Sequence, residues 1–282
     1  MKLICLGTGS PEPNPRRASS GYLVVVGEKT YLFDMGGGVM DRLIASGRMP
    51  WQVDQVFFSH LHSDHMIDLP RYLHACWDKR SDAIIDNITG PAPLQSICEA
   101  PFKPGGFLHH DLIARTENKG SIEVYRERGG VGLRPGPKID VTEIEPGWAY
   151  EDEAVYISTF AVQHAGPQLL SLGYRLTEKA TGKVLVYPGD SALTSELAAG
   201  CQDADLLIHW CFREVGDTRF DTITRLSPDA TQIGDFAKTN RVKRLLLTHF
   251  RPTMHADLAR QQAQAAFDGE VMIAEDLREI TL

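Results

Sequence analysis

Ser59-His60-Leu61-His62-Ser63-Asp64-His65 sets three imidazoles and a carboxylate close together, directly after the apolar run Val53 to Phe58. A buried carboxylate needs a partner or a cation, so this cluster at the exit of a strand is poor core material and a good set of metal donors. In extended chain, residues two apart project to one side, so His60 and His62 can converge on one ion. A turn into the helical pattern of Met66 to Ala75 then directs Asp64 and His65 toward a second ion.

Each further donor stands where an apolar or β-branched run ends. His164 follows Ser158 to Gln163, Asp190 follows Val184 to Gly189, and His249 follows Leu245 to Thr248. A lone histidine after a strand is more often hydrogen-bonded structure than a ligand. Taken with the cluster, these three complete two donor sets. His60, His62, His164 and Asp190 would serve one ion, and Asp64, His65, Asp190 and His249 the other, with the two oxygens of Asp190 bridging.

The flanking pattern predicts a layered α/β chain. Residues 1–6 read as a buried strand ended by Gly7-Thr8-Gly9-Ser10, and the three prolines of Pro11 to Arg17 exclude a regular element. No helix follows Gly7-Thr8-Gly9, so it fails as a dinucleotide cradle. Tyr22 to Val26 and Thr30 to Phe33 flank a hairpin turn, and Gly36-Gly37-Gly38 lets the backbone pass close to the site before a helix over Val39 to Ala45. A strand at Ile84 to Ile88 precedes a helix ending at Glu99. Residues 101–147 loosen into an elaborated connection, with a helix near Leu108 to Ala114 and a strand near Ile122 to Tyr125. That stretch is too poor in apolar residues to be a domain of its own.

Strands are then expected at Val155 to Val162, Leu170 to Leu176, Val184 to Tyr187, Asp205 to His209, Arg244 to Thr248 and Val271 to Ala274, the last ending the chain. Helices are expected at Ser191 to Ala199 with Ser191 as cap, Pro228 to Thr239 with Ser227 as cap, and Ala256 to Phe267. Strands and helices alternate unevenly, which predicts mixed sheets in one domain over residues 1–282.

Composition narrows the function. The 282 residues carry a formal net charge of −8, and 43 % of them are hydrophobic. Mean hydropathy is −0.20 and no apolar run approaches a membrane span. Met1 to Gly7 turns to glycine and proline too soon for a signal peptide, which predicts a cytoplasmic protein. The five cysteines never form a Cys-x-x-Cys pair, against both a disulfide framework and a thiolate zinc site. Acidity disfavours a nucleic-acid partner, because phosphate binding draws on Lys and Arg.

His-x-His-x-Asp-His followed by His, Asp and His in this order resembles the metallo-β-lactamase superfamily over nearly the whole chain. Leu6 to Pro11, Leu32-Phe33-Asp34-Met35-Gly36 and Leu247-Thr248-His249-Phe250 are similar to its ribonuclease Z and arylsulfatase/phosphodiesterase branch. The resemblance implies an αββα sandwich of two mixed sheets, two Zn²⁺ per chain (Mn²⁺ or Fe²⁺ as alternatives), metal-bound hydroxide as nucleophile, and a homodimer. Ribonuclease Z carries His-Glu-Ala-Thr where this chain reads His209-Trp210-Cys211-Phe212, and no long basic Gly-Pro arm is visible. Cys76-Trp77-Asp78, Gly106 to Asp111 and Leu169 to Arg175 also resemble the chlorothalonil hydrolytic dehalogenase group.

The expected function is therefore a metal-dependent hydrolase of a small ester, phosphodiester, lactone or activated aromatic halide. The alternative is tRNA 3′-processing of the ribonuclease Z kind. Asp64 is the expected base and His209 the candidate for leaving-group assistance. His74, His109, His110, Arg175, Arg213, Trp77, Phe107 and Trp210 are candidates for the pocket, each with a structural role as its plainer reading.

Overall fold

Strand alternation builds the layers. Leu3 and Cys5 of β1 (Lys2–Gly7) join a core that also holds Ile208 and Leu246, whereas Ile4 and Leu6 join a second core with Leu73 and Trp77. Both faces of β2 (Gly21–Val26) are covered, so all six of its residues are buried. The computed structural model describes residues 1–79, 83–216 and 226–282. Its strands form two seven-stranded mixed sheets.

The first sheet runs in the order β14 (Glu279–Thr281), β1, β2, β3 (Lys29–Phe33), β4 (Gln55–Phe57), β5 (Ile84–Gly90) and β6 (Lys138–Glu143). The second runs β13 (Glu270–Ile273), β12 (Arg244–Thr248), β11 (Leu206–Trp210), β10 (Val184–Tyr187), β9 (Leu172–Glu178), β8 (Val155–Ala161) and β7 (Ala149–Glu151). One core lies between the sheets. The two outer cores pack helices on them: α1 (Val39–Ala45), α3 (Leu69–Lys79) and α4 (Leu94–Glu99) on the first sheet, and α7 (Ser195–Cys201), α8 (Ala230–Thr239) and α9 (Ala256–Ala266) on the second. This is the expected αββα sandwich. No helix among the described residues is long and apolar enough to cross a membrane.

Parallel pairing gathers the strand ends that matter. β3 and β4 are parallel, and so are β10, β11 and β12, so the chain leaves each group at one edge. There the sheets are tied by Tyr174, whose hydroxyl donates to the Phe58 carbonyl at 2.8 Å, and by Leu172 N donating to Ser59 O at 2.8 Å.

Several expected elements differ. Ile122 to Tyr125 lies within a helix, α6 (Lys119–Glu127), because the Asn118 side chain accepts from Ser121 N and caps it. The helix expected at Leu108 is α5 (His109–Glu117). Thr194, not Ser191, caps α7, and Asp229 with Gln232 forms a capping box on α8 in place of Ser227. The strand ending at Ala274 is not the last, since β14 pairs antiparallel with β1. The helical pattern after the histidine cluster is split into α2 (Ser63–Met66) and α3.

Candidate metal centre

The histidine cluster is held by close backbone packing. α2 starts one residue after His62, and Met35 N donates to the His65 carbonyl at 2.6 Å. A Cβ on Gly36 would lie 2.0 Å from the Asp64 carbonyl oxygen, so only glycine lets β3 exit against this turn. Two non-glycine residues here have positive φ: Asp34 (59°) and His249 (61°). Such conformations persist where the surroundings over-determine them, and both residues aim side chains into the site.

Two donor groups meet. His62 Nδ1 lies 3.0 Å from His60 Nε2 and 3.1 Å from His164 Nε2. His249 Nε2 lies 3.1 Å from Asp64 Oδ2 and 3.3 Å from Asp190 Oδ2, while His65 Nε2 is 3.5 Å from Asp64 Oδ2 and 3.6 Å from Asp190 Oδ1. Asp190 Oδ2 is also 3.8 Å from His164 Nε2 and so stands between the groups. A tetrahedral zinc site with Zn–N of about 2.0–2.1 Å has donor–donor edges of about 3.3–3.4 Å, which these separations bracket. His65 Nε2 is buried with no hydrogen-bond partner, as a donor awaiting a cation would be. The residues fit two cations.

Outer contacts present the correct ring nitrogens. Asp34 is fully buried and accepts from Ser59 N (2.7 Å), Ser59 Oγ (2.7 Å), Tyr187 OH (2.5 Å) and His65 Nδ1 (2.7 Å). A carboxylate only accepts, so His65 Nδ1 carries the proton and Nε2 faces the site. The single Ser59 hydroxyl hydrogen goes to Asp34, so its oxygen accepts from His60 Nδ1 at 3.0 Å and leaves His60 Nε2 free.

Burial, reinforced by His65, holds His60 well below its ordinary pKa, and burial pulls His164 down to about 4. Burial opposes charge on His65 too, yet Asp190 and Asp34 raise its pKa well above the usual value. Burial likewise opposes ionisation of Asp190, and His249 and His65 outweigh it, keeping the carboxylate ionised. A cation held by these donors would compete with protons for His65 Nε2 and the carboxylates.

A cleft of about 270 Å³ opens over the donors, walled by Pro11, Ala165, Trp210, Phe212 and Leu226. Trp210 and Phe212 stack with ring centres 5.8 Å apart, and the Arg251 guanidinium sits 5.1 Å over Phe212.

The seven expected donors thus come together, but His209 does not join them. It is completely buried, falls with Leu207 on the helix-covered side of β11, and bonds through Nδ1 to the Trp210 carbonyl at 2.8 Å. His74 pairs with Asp111 at 2.8 Å, away from the cleft, and His109 Nδ1 bonds to the Phe102 carbonyl. Arg175 binds the carbonyls of Gly200 and Gln202, and Arg213 those of Ser227 and the Asp229 carboxylate. Trp77 is core and Phe107 is exposed. Of the aromatic candidates only Trp210 walls the cleft. Sequence reasoning missed the roles of Asp34 and Phe212; an acid at a strand end before three glycines was the available signal for the first.

The metallo-beta-lactamase superfamily pattern matches residues 14–80. Ribonuclease Z of Mycobacterium avium is 30 % identical over 293 residues, covering 99 % of this chain and 98 % of that protein. Ribonuclease Z of Mycobacterium bovis is 28 % identical over 290 residues, with 99 % and 98 % covered. The fold is shared with the metallo-beta-lactamase fold protein YhfI of Bacillus subtilis (TM-score 0.73, 22 % identity, 99 % and 98 % covered). It is also shared with the short form of human tRNase Z (TM-score 0.67, 23 % identity, 100 % and 99 % covered).

These relatives overturn the expectation of a small-molecule partner with nucleic acid disfavoured. Proteins matching from end to end are ribonucleases by name, and net charge summed over a chain is blind to where its cations sit. With that identity over its whole length, the chain belongs to the ribonuclease Z family of the metallo-beta-lactamase superfamily.

Proposed function

We propose that this chain is a two-zinc phosphodiesterase that cuts RNA, with precursor tRNA 3′ ends as its substrate class. The observation that carries the reading is the convergence of all seven donors in a chain 30 % identical to a ribonuclease Z throughout its length. His60, His62, His164 and Asp190 would hold one ion, and Asp64, His65, Asp190 and His249 the other. Once bound, such ions act as Lewis acids and bring the pKa of a bound water down to about 7.

The chain's own groups do the rest. Asp64 lines the cleft, where it orients the attacking water and accepts its proton. Pro11, Trp210 and Phe212 exclude bulk water and so strengthen electrostatics at the reacting phosphate. Trp210 stands where the family has a glutamate, so the leaving oxygen takes its proton from elsewhere.

Zinc-loaded and chelator-stripped protein should be compared on a precursor tRNA with a 3′ trailer. One metal-dependent cut at the trailer junction is expected. A protein carrying two ions that leaves precursor tRNA intact would overturn the proposal.

A further inference from the structure

A cavity of about 640 Å³ lies between α3 and the segment following α6, and it shares no lining residue with the cleft over the metal donors. Lys79, Arg128 and Arg134 face it against one lining carboxylate, Asp78. Asp78 is already taken by Arg134 (2.7 Å), Arg115 (3.1 Å) and Arg128 (3.6 Å). Behind the wall, Asp111 accepts from His74 Nε2 and Arg115 Nε, both at 2.8 Å. Among the described residues, four cations, Lys79, Arg115, Arg128 and Arg134, therefore share two carboxylates. That local positive surplus suits a phosphate group, in a chain whose net charge is −8.

The wall is also aromatic and braced. Trp51 packs on the first sheet's outer core, with Lys79 Nζ 5.3 Å over its ring. Arg134 is pinned between Trp77 (4.3 Å) and Tyr125 (5.6 Å), and Trp77 Nε1 donates to the Pro135 carbonyl at 2.9 Å. A Cβ on Gly130 would come within 2.3 Å of the Tyr125 ring, so the loop lies flat against it. Aromatic faces beside cations are the recognition chemistry of nucleotides.

We propose that this cavity is a binding site for a nucleoside phosphate. Lys79 and Arg128 take the phosphate, and the base stacks on Trp51, in the seat Lys79 leaves as it turns to the anion. The ligand is either a free nucleotide or one nucleotide of an RNA chain. The site stands apart from the metal centre and needs no catalysis to be tested.

Zinc-loaded protein is titrated with AMP, adenosine and inorganic phosphate, following tryptophan fluorescence. A labelled phosphorothioate RNA is titrated in parallel by anisotropy. The variant is the double substitution Lys79→Ala and Arg128→Ala at two exposed side chains, with folding checked by circular dichroism. AMP binding that exceeds adenosine and phosphate and weakens at least tenfold in the variant identifies a free nucleotide. RNA affinity falling at least tenfold, with AMP bound weakly, identifies a nucleotide within RNA. Equal affinity of parent and folded variant for both AMP and RNA would overturn the proposal.

Discussion

Replacing Asp34 by Asn tests whether the buried network behind the ligands holds the metal centre. Asn keeps the volume and tolerates the positive φ of 59°, so backbone strain is not the variable. Oδ2 of Asp34 receives Ser59 Oγ, Tyr187 OH and His65 Nδ1, and an amide NH₂ at that position accepts from none of them. The two hydroxyls can rotate; the ring N–H of His65 cannot. One orphaned buried donor costs about 1–3 kcal/mol. Loss of an outer partner of a metal-bound histidine lowers metal affinity by about 10–100-fold, or about 1.4–2.7 kcal/mol. Asp34 reaches His65 directly and His60 through Ser59, so both sites should weaken. Competition with a calibrated zinc chelator measures the two affinities. A folded variant holding both ions within twofold of the parent would refute the reasoning.

Three further outcomes follow from the same contacts. Asp64→Ala should lower kcat on precursor tRNA by about 10²–10⁴-fold while much of the metal stays bound; full activity at verified metal content would remove Asp64 from its role. Chelating the metal should lower Tm by several degrees, since ligand at about a hundred times its Kd adds about 2.7 kcal/mol, and an unchanged Tm would count against metal-coupled folding. Burial pulls the pKa of His209 down to about 4 from 6.5, so the unfolded chain takes up this proton first. Its contribution is intact above pH 6.5 and drains away as pH falls toward 4, on the order of 3 kcal/mol in all. Urea midpoints at pH 7.5 and 4.5 should therefore diverge less in His209→Gln than in the parent, and equal divergence would assign the pH dependence elsewhere.

The donors were readable because chemistry concentrates at strand exits. His60 to His65 cannot serve a core, and His164, Asp190 and His249 each follow an apolar or β-branched run that marks a strand. Features that tertiary contacts decide were not readable. Ile122 and Val124 alternate with Glu123 as in a strand, yet a cap at Asn118 and packing against α5 make the segment helical. β14 offers only Ile280 as a buried residue, and pairing with β1 is what makes it a strand. His209 shows how one step along a strand changes a role: Trp210 faces the cleft, and the residue beside it faces the helices. The expectation against nucleic acid rested on net charge, the absent glutamate and the absent basic arm, none of which reports where cations sit on the surface; relatives matching from end to end are ribonucleases by name.

Anomalous scattering at the zinc edge, from crystals of the zinc-loaded protein, locates the ions themselves. Two peaks about 3.5–4 Å apart are expected, one among His60, His62 and His164, the other among Asp64, His65 and His249, with Asp190 between them. Peaks absent from these positions, or farther than about 2.0–2.2 Å from the named donor atoms, would contradict a two-ion centre in this chain.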